Sequence, residues 1–402
     1  MKRFPTWASA AAMVAAVALP AGTAAADDDE IIVGFAIAES GWMQAYDQPS
    51  TRAALVRVDE INEAGGLLGK QIQVVTADTK TDRNEGVKAG QEVVDEGADM
   101  VVVSCDYDFG APAANVAQDA DLISFFLCAE DVKAGIEGVG PYSFSASVLA
   151  AVQGATMAEW SINERKAKTG YVLLDTSIEY NKGICYGFDW MFPKAGGEII
   201  GRDTFKNDDP SIASQITRIK SLASPPDVIM LCSYNPGGAS AAKQLRAAGI
   251  ESLIVNGSSL DGNYWLDAVP DLSGFVVPVQ GSIYGDDPDP NVETFNKKYE
   301  KKWGERPSSQ YAYPGYVLID VWAKAVERAG TTETEAVVAE LEKMNNEPTL
   351  FGPRTFTSEL HHQNQATYKL VEATDGKFAY IGEWTISEPV PMEILFSGVQ
   401  NN

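Results

Sequence analysis

The chain has 402 residues, with 31 Lys+Arg against 56 Asp+Glu and a formal net charge of −25. Domains run to about 100–200 residues, so this length predicts two lobes rather than one core, and a hydrophobic content of 45% with 15 Tyr, 15 Phe and 8 Trp excludes a wholly disordered chain. The acidity excludes nucleic acid and anionic membrane surfaces as partners, because phosphate binding needs Lys/Arg clusters and the nearest one, Lys297-Lys298-Tyr299-Glu300-Lys301-Lys302, is interrupted.

In chain order, residues 1–26 read as a leader. Lys2 and Arg3 form a positive start, an apolar stretch runs from about Ala8 to Leu19, and Ala24-Ala25-Ala26 offers a small-residue cleavage site before Asp27. The stretch is shorter than the ~20 residues a membrane span needs, and no cysteine follows it to carry a lipid. The mature chain is therefore expected to be exported and soluble, with a charge of −27 from 29 basic and 56 acidic residues, and Asp27-Asp28-Asp29-Glu30 as a solvated new N-terminus.

Short β-branched runs then alternate with helical patterns. Ile31 to Ile37 reads as a strand, Arg52 to Asn62 as a helix with Leu55, Val58 and Ile61 on one face, and Gln71 to Ala77 as the next strand. A helix over Asn84–Glu96, a strand from Met100, a helix over Ala111–Asp119 and a strand from Leu122 continue the series. After Ser147 a second series predicts a helix to Arg165, strands from Gly170, Glu198, Asp227 and Ser252, and helices over Lys182–Pro193, Ser211–Leu222 and Gly238–Ala248. Such alternation implies right-handed crossovers and parallel sheets covered on both faces. Ala64-Gly65-Gly66 before one strand and Ala195-Gly196-Gly197 before another suggest that the architecture is duplicated.

Export makes the four cysteines an even set in an oxidising compartment, and no C-x-x-C spacing points to a metal. Cys105 and Cys128 end consecutive strands, which places them at one sheet edge. Cys232 ends a later strand and Cys185 lies early in a helix after another. The pairing predicted is Cys105–Cys128 and Cys185–Cys232, one of three connectivities, with four buried free thiols as the alternative.

Enzyme signatures are thin. The segment Ala64–Lys70 fails as a phosphate loop, since position 64 is Ala and Gln71 follows Lys70. The only histidines, His361 and His362, are adjacent in a polar stretch that reads as a solvated turn, not a metal site. No G-x-S-x-G elbow or G-x-G-x-x-G after the first strand is present, so neither catalysis nor a cofactor or metal is expected.

One resemblance gathers these features. A leader, Ile31-Ile32-Val33-Gly34-Phe35, Ser40-Gly41, and a helix ending Asp59-Glu60-Ile61-Asn62-Glu63-Ala64-Gly65-Gly66-Leu67-Leu68-Gly69-Lys70 resemble the opening of type I periplasmic solute-binding proteins of the branched-chain amino acid (Leu/Ile/Val) uptake class. Leu122-Ile123-Ser124, Tyr180-Asn181-Lys182-Gly183 and Ala247-Ala248-Gly249-Ile250 extend the resemblance. It implies an α/β fold of two doubly wound parallel-sheet lobes joined by a three-crossing hinge, with 27–145 plus 279–353 as lobe one and 146–278 plus 354–402 as lobe two. It also implies a monomeric periplasmic receptor that closes on a small-molecule ligand and delivers it to an ABC transporter permease. A ligand sensor for a membrane signalling protein is the alternative, and an exported hydrolase would need a nucleophile that the sequence does not show.

Ligands of open parallel sheets bind outside the carboxyl ends of the strands, so the strand-end loops are the candidate site. They offer Trp42, Tyr46, Asp106, Tyr107, Phe126, Cys128 and Ala129 in lobe one, and Tyr180, Tyr234, Ser259 and Asp261 in lobe two. The family holds an amino-acid carboxylate with hydroxyl residues in the loops matching 104–110 and 126–129. Here the first loop offers Asp106, Tyr107 and Asp108 and the second Phe126, Cys128 and Ala129, without serine or threonine where the family grips the carboxylate, which argues against a standard amino acid and for an aromatic or cationic organic solute.

Overall fold

The computed structural model describes Met1 and residues 30–397; the leader and Asp27-Asp28-Asp29 lie outside the described residues. The first layer begins β1 (Glu30–Ile37), α1 (Gln44–Glu63), β2 (Gln71–Asp78), α2 (Arg83–Asp95), β3 (Met100–Val103), α3 (Tyr107–Asp119), β4 (Ile123–Phe126) and β5 (Ser143–Ser145). These strands form a parallel sheet in the order β2-β1-β3-β4-β5. All four residues of β3 are buried, as a central strand covered on both faces requires.

The chain continues through α4 (Ala150–Asn163), β6 (Thr169–Asp175), α5 (Glu179–Lys194), β7 (Glu198–Phe205), α6 (Ala213–Lys220), β8 (Val228–Cys232), α7 (Gly237–Ala247), β9 (Leu253–Val255) and β10 (Phe275–Val279). There follow α8 (Pro290–Trp303), α9 (Ala312–Ala329), α10 (Thr334–Leu341), β11 (Thr367–Thr374), β12 (Lys377–Thr385) and the short α11 (Met392–Leu395). The second sheet runs β12-β11-β10-β9-β8-β6-β7. Its stretch β7-β6-β8-β9-β10 repeats the first sheet's order rank for rank, which is the duplication that the paired glycines suggested. The sheet is mixed rather than wholly parallel, because β11 and β12 form an antiparallel hairpin beside β10. Asp375 and Gly376 both take positive φ at its two-residue turn, the geometry that favours Asp-Gly there.

Two predicted helices begin earlier than their sequence pattern indicated, α1 at Gln44 and α3 at Tyr107. Each carries a proline at its sixth residue, Pro49 and Pro112, which reads as a helix start in sequence. Tertiary bonds hold the extra turn of α1: the buried Asp47 carboxylate accepts from the N–H groups of Ala38 and Cys105 at 2.7 and 2.8 Å.

One face of the first sheet packs Phe35, Phe125 and Phe144 against Tyr313, Val317 and Trp322 of α9, although the whole second series of strands and helices lies between that sheet and α9 in the chain. The other face meets the alanine-rich sides of α2 and α3. The second sheet is covered by α4 and α5 on one face and by α6 and α7 on the other. The chain thus passes between the two layers three times, after Ser145, after Val279 and between Phe356 and Leu360. Arg354 pins these crossings together. Its buried guanidinium donates to Ala146 O at 2.6 Å, Gln280 Oε1 at 2.7 Å and Phe351 O at 3.1 Å.

The disulfides are Cys105–Cys128 and Cys185–Cys232, as the strand ends predicted, with Cα separations of 4.4 and 5.9 Å. The histidines are a correction: His361 and His362 are not solvated but 1% and 2% exposed. They sit on the third crossing, where the polar segment is enclosed by both layers. His361 stacks on Phe144, and its ring nitrogens face Ser143 O at 2.9 Å and Glu342 Oε1 at 3.2 Å. Burial pushes the His362 imidazole down to about 3, so it is neutral.

Candidate functional site

The parallel register brings Ala36, Val103 and Phe126 side by side, so the loops after β1, β3 and β4 leave the first sheet at one edge. The loops after β6, β8 and β9 leave the second sheet at its facing edge. Between them lies a small pocket. Trp42 and Met43 reach it from the β1–α1 connection, Tyr46 from the first turn of α1, Cys105 and Asp106 from the end of β3, Cys128 and Glu130 from beyond β4, and Tyr311 from the start of α9. Ile178 and Tyr180, Tyr234 and Ser259 close it from the second sheet.

Direct bonds join the two sides. The Tyr46 hydroxyl accepts from Asn235 N–H at 3.0 Å and donates to Ser259 O at 3.4 Å. The Glu130 carboxylate accepts from the Ser258 hydroxyl at 3.0 Å and from Tyr311 at 3.0 Å. Asp108 accepts from Glu179 N–H at 3.0 Å, and Lys133 pairs with Glu179 at 3.0 Å. Beyond the pocket wall, Asp261 accepts from the Ser309 hydroxyl at 2.8 Å and from Gln310 N–H. Tyr180 donates to Gln153 Oε1 at 3.2 Å and accepts from Ser259 N–H at 3.2 Å.

Seven of the sequence-predicted residues therefore meet at one pocket: Trp42, Tyr46, Asp106, Cys128, Tyr180, Tyr234 and Ser259. Four do not line it. Phe126 ends its strand on the opposite face, with its ring beneath Gly110 of α3. Ala129 points into that same alanine-rich layer. Tyr107 turns away at the first residue of α3 and donates to Gly138 O at 3.4 Å. Asp261 serves the cross-lobe bonds just described. The lining residues that sequence reasoning passed over are Met43, Cys105 in its wall role, Glu130, Ile178 and Tyr311. Glu130 had a signal, an acidic residue two positions past the strand-ending Cys128. Tyr311 had none, because nothing local ties the start of α9 to the first sheet.

Burial dominates the electrostatics. It pushes the Glu130 carboxyl up to about 8, against hydrogen bonds from Tyr311 and Ser258. It holds Asp106 well above the ordinary carboxylate range, reinforced by the nearby charges of Asp108 and Asp131. Asp261 is raised to about 7 by burial. Among the described residues, no group of three or more His, Cys, Asp and Glu is arranged to hold a metal ion. The pocket presents aromatic faces and hydrogen-bond acceptors to a small organic molecule.

Comparison with known proteins fits this geometry. The sequence model of the periplasmic binding protein family matches residues 30–377. A relative in Brucella melitensis, Leu/Ile/Val-binding protein homolog 3, is 25% identical over 369 residues, 90% of this chain and 96% of its own length. A Pseudomonas aeruginosa protein named for binding leucine, isoleucine, valine, threonine and alanine is 23% identical over 78% of this chain and 82% of its own. The isoleucine complex of LivJ, the branched-chain amino acid transporter substrate binding protein of Streptococcus pneumoniae, superposes with a TM-score of 0.78. It is 24% identical and covers 89% of this chain and 99% of its own. An ABC transporter solute binding protein from Rhodopseudomonas palustris, holding 3,4-dihydroxybenzoic acid, gives 0.73 at 19% identity, over 90% and 99%. At these identities the structural likeness shows a shared fold. The match of one family model to most of the chain, over the two facing sheets and their enclosed pocket, shows that the chain belongs to the periplasmic binding protein family.

Proposed function

We propose that this protein is the periplasmic substrate-binding component of an ABC importer. It captures a small organic solute, amino-acid-like, amine or aromatic, between its lobes and delivers it to a permease by hinge closure. The observation that carries this reading is the pocket itself, whose wall is drawn from strand-end loops of both sheets and crossed by direct hydrogen bonds. A solute that touches both sides favours the closed arrangement by its differential affinity. In this reading 1–26 is a cleaved leader, 27–145 plus 279–353 form lobe one, and 146–278 plus 354–402 form lobe two. The solute ligands are Trp42, Tyr46, Asp106, Glu130, Tyr180, Tyr234, Ser259 and Tyr311, with the Cys105–Cys128 bridge as part of the wall.

The relatives named for leucine, isoleucine and valine support uptake of a small amino-acid-sized solute, and the dihydroxybenzoate complex shows that the fold also admits an aromatic acid. A thermal-shift panel of amino acids, amines, alcohols and aromatic acids tests the reading, because a ligand specific for the folded state raises apparent stability by mass action. At least one class should raise the melting temperature and quench or shift Trp42 fluorescence. A panel without any response would remove the solute-binding reading. Deletion of the gene should then abolish uptake of the responding solute at micromolar supply.

A further inference from the structure

The pocket's chemistry is one-sided. Its polar lining consists of the carboxyls of Asp106 and Glu130 and the hydroxyls of Tyr46, Tyr180, Tyr234, Ser259 and Tyr311. Among the described residues, no lysine, arginine or histidine lines it. Asp106 is 6% exposed, and its Oδ1 has no hydrogen-bond partner. A buried acceptor left unpaired is unfavourable until a donor arrives, so the site is incomplete as it stands. The hydroxyls of Tyr46, Tyr180 and Tyr311 are already engaged with protein acceptors, so the pocket's two carboxyls are the chief side-chain groups left to meet a ligand.

The apolar part of the wall points the same way. Trp42 lies over Tyr234 with ring centroids 5.0 Å apart, and Tyr46 meets Tyr311 edge to face at 5.8 Å. Aromatic faces carry negative quadrupole density and attract a desolvated cation. Met43, Ile178 and the Cys105–Cys128 bridge complete an apolar floor.

Resting on the solute-binding reading above, we propose that the solute is a protonated amine with a compact apolar or aromatic body and no carboxylate of its own. Its ammonium group donates to Asp106 and Glu130, and its body lies against Trp42, Tyr234 and the disulfide. Burial and the surrounding Asp47, Asp108, Asp131 and Asp261 oppose ionisation of these carboxyls and favour their protonated forms. The arriving cation displaces those protons, so affinity rises with pH between about 6 and 8.

Calorimetric titration of the mature protein with two matched series tests this. The first is 3-methylbutylamine, leucine, 4-methylpentanoate and 3-methylbutan-1-ol. The second is phenethylamine, phenylalanine, 3-phenylpropanoate and 2-phenylethanol. An amine should bind at least tenfold more tightly than its matched amino acid, acid and alcohol, and more tightly at pH 8 than at pH 6. Asp106→Asn and, separately, Glu130→Gln should each weaken the amine at least tenfold while melting at or above the parent temperature. Tighter binding of an amino acid or an acid than of its amine overturns the inference, as does the failure of both amines to bind. An amino acid or acid that binds and perturbs Trp42 leaves the solute-binding reading standing, whereas silence across the broad panel removes that reading itself.

Discussion

At the scale of single residues, Glu130 shows how a binding group strains the fold that carries it. Its carboxyl is fully enclosed, and burial lifts it from an ordinary 4.5 to about 8 even though Ser258 and Tyr311 donate hydrogen bonds that favour the ionised form. The folded state therefore prefers the protonated group. The stability tied to that proton is present in full below the unfolded value near 4.5 and is lost as pH rises toward 8. Glu130→Gln keeps an acceptor for Ser258 or Tyr311 and removes the charge. It should make the solute-free protein more stable than the parent at pH 8.5 by about 1–3 kcal/mol, with a smaller difference at pH 5. Urea unfolding at the two pH values measures this, and an unchanged pH slope would show that the carboxyl does not titrate in that window. Asp47 shows the milder case. Burial raises it only to about 6, because the N–H groups of Cys105 and Ala38 hold its charge where β1, β3 and α1 meet.

Among the elements, the strand ends set both the pocket and its fastening. Cys105–Cys128 joins the ends of β3 and β4 across a 23-residue separation, so its loss should lower stability by about 3 kcal/mol in the chain-entropy account. It also forms pocket wall, so replacing both cysteines with serine should lower the melting temperature and weaken solute binding together. A matched change at Cys185–Cys232, which joins α5 to β8 outside the pocket lining, should lower stability and leave affinity within about threefold. Equal effects of the two pairs on affinity would deny the first its place in the wall. The alternating β and α patterns to Asn256 were legible because each unit buries an apolar face over a short stretch, and the cysteine pairing followed from three cysteines at strand ends and one early in a helix. The region after Val279 was not. There α9 joins the first sheet's core from far along the chain, and the β11–β12 hairpin carried only its Asp375-Gly376 signal. The site was legible by loop but not by face. Strand alternation would put positions 126 and 128 on one face, but β4 ends at Phe126 and the chain leaves the sheet there, so Phe126 points to α3 while Cys128 points to the cleft. Arg354 was invisible for a different reason, since its partners Ala146 and Gln280 lie on other crossings. Arg354→Met strands several buried carbonyl groups at about 1–3 kcal/mol each. Its calorimetric trace should broaden or split as the lobes uncouple, and a single sharp transition at the parent temperature would show that the pin is dispensable.

For the whole molecule, the question is what holds two separately cored layers against each other. Beside the bonds of Glu179 to Asp108 and Lys133, two sets of hydrogen bonds cross between them. Tyr46 with Asn235 and Ser259, and Glu130 with Ser258, stand at the pocket, where a solute supplements them. Asp261 with Ser309 and Gln310 stands behind the pocket wall, where no solute reaches. A solute's apparent affinity falls by the fraction of molecules in the binding-competent state, so weakening the rear clasp should weaken binding without altering any solute contact. Asp261→Ala should therefore lower solute affinity about tenfold, equivalent to roughly 1.4 kcal/mol of closure energy. The loss should be in closure, so saturating solute should still restore the parent's compact radius of gyration in solution scattering, while the solute-free variant shifts toward a larger one. Titration followed by Trp42 fluorescence, paired with scattering at each end of the curve, separates these effects. Unchanged affinity with an unchanged solute-free radius would show that the rear clasp does not bias the hinge, and would leave closure to the contacts at the pocket alone.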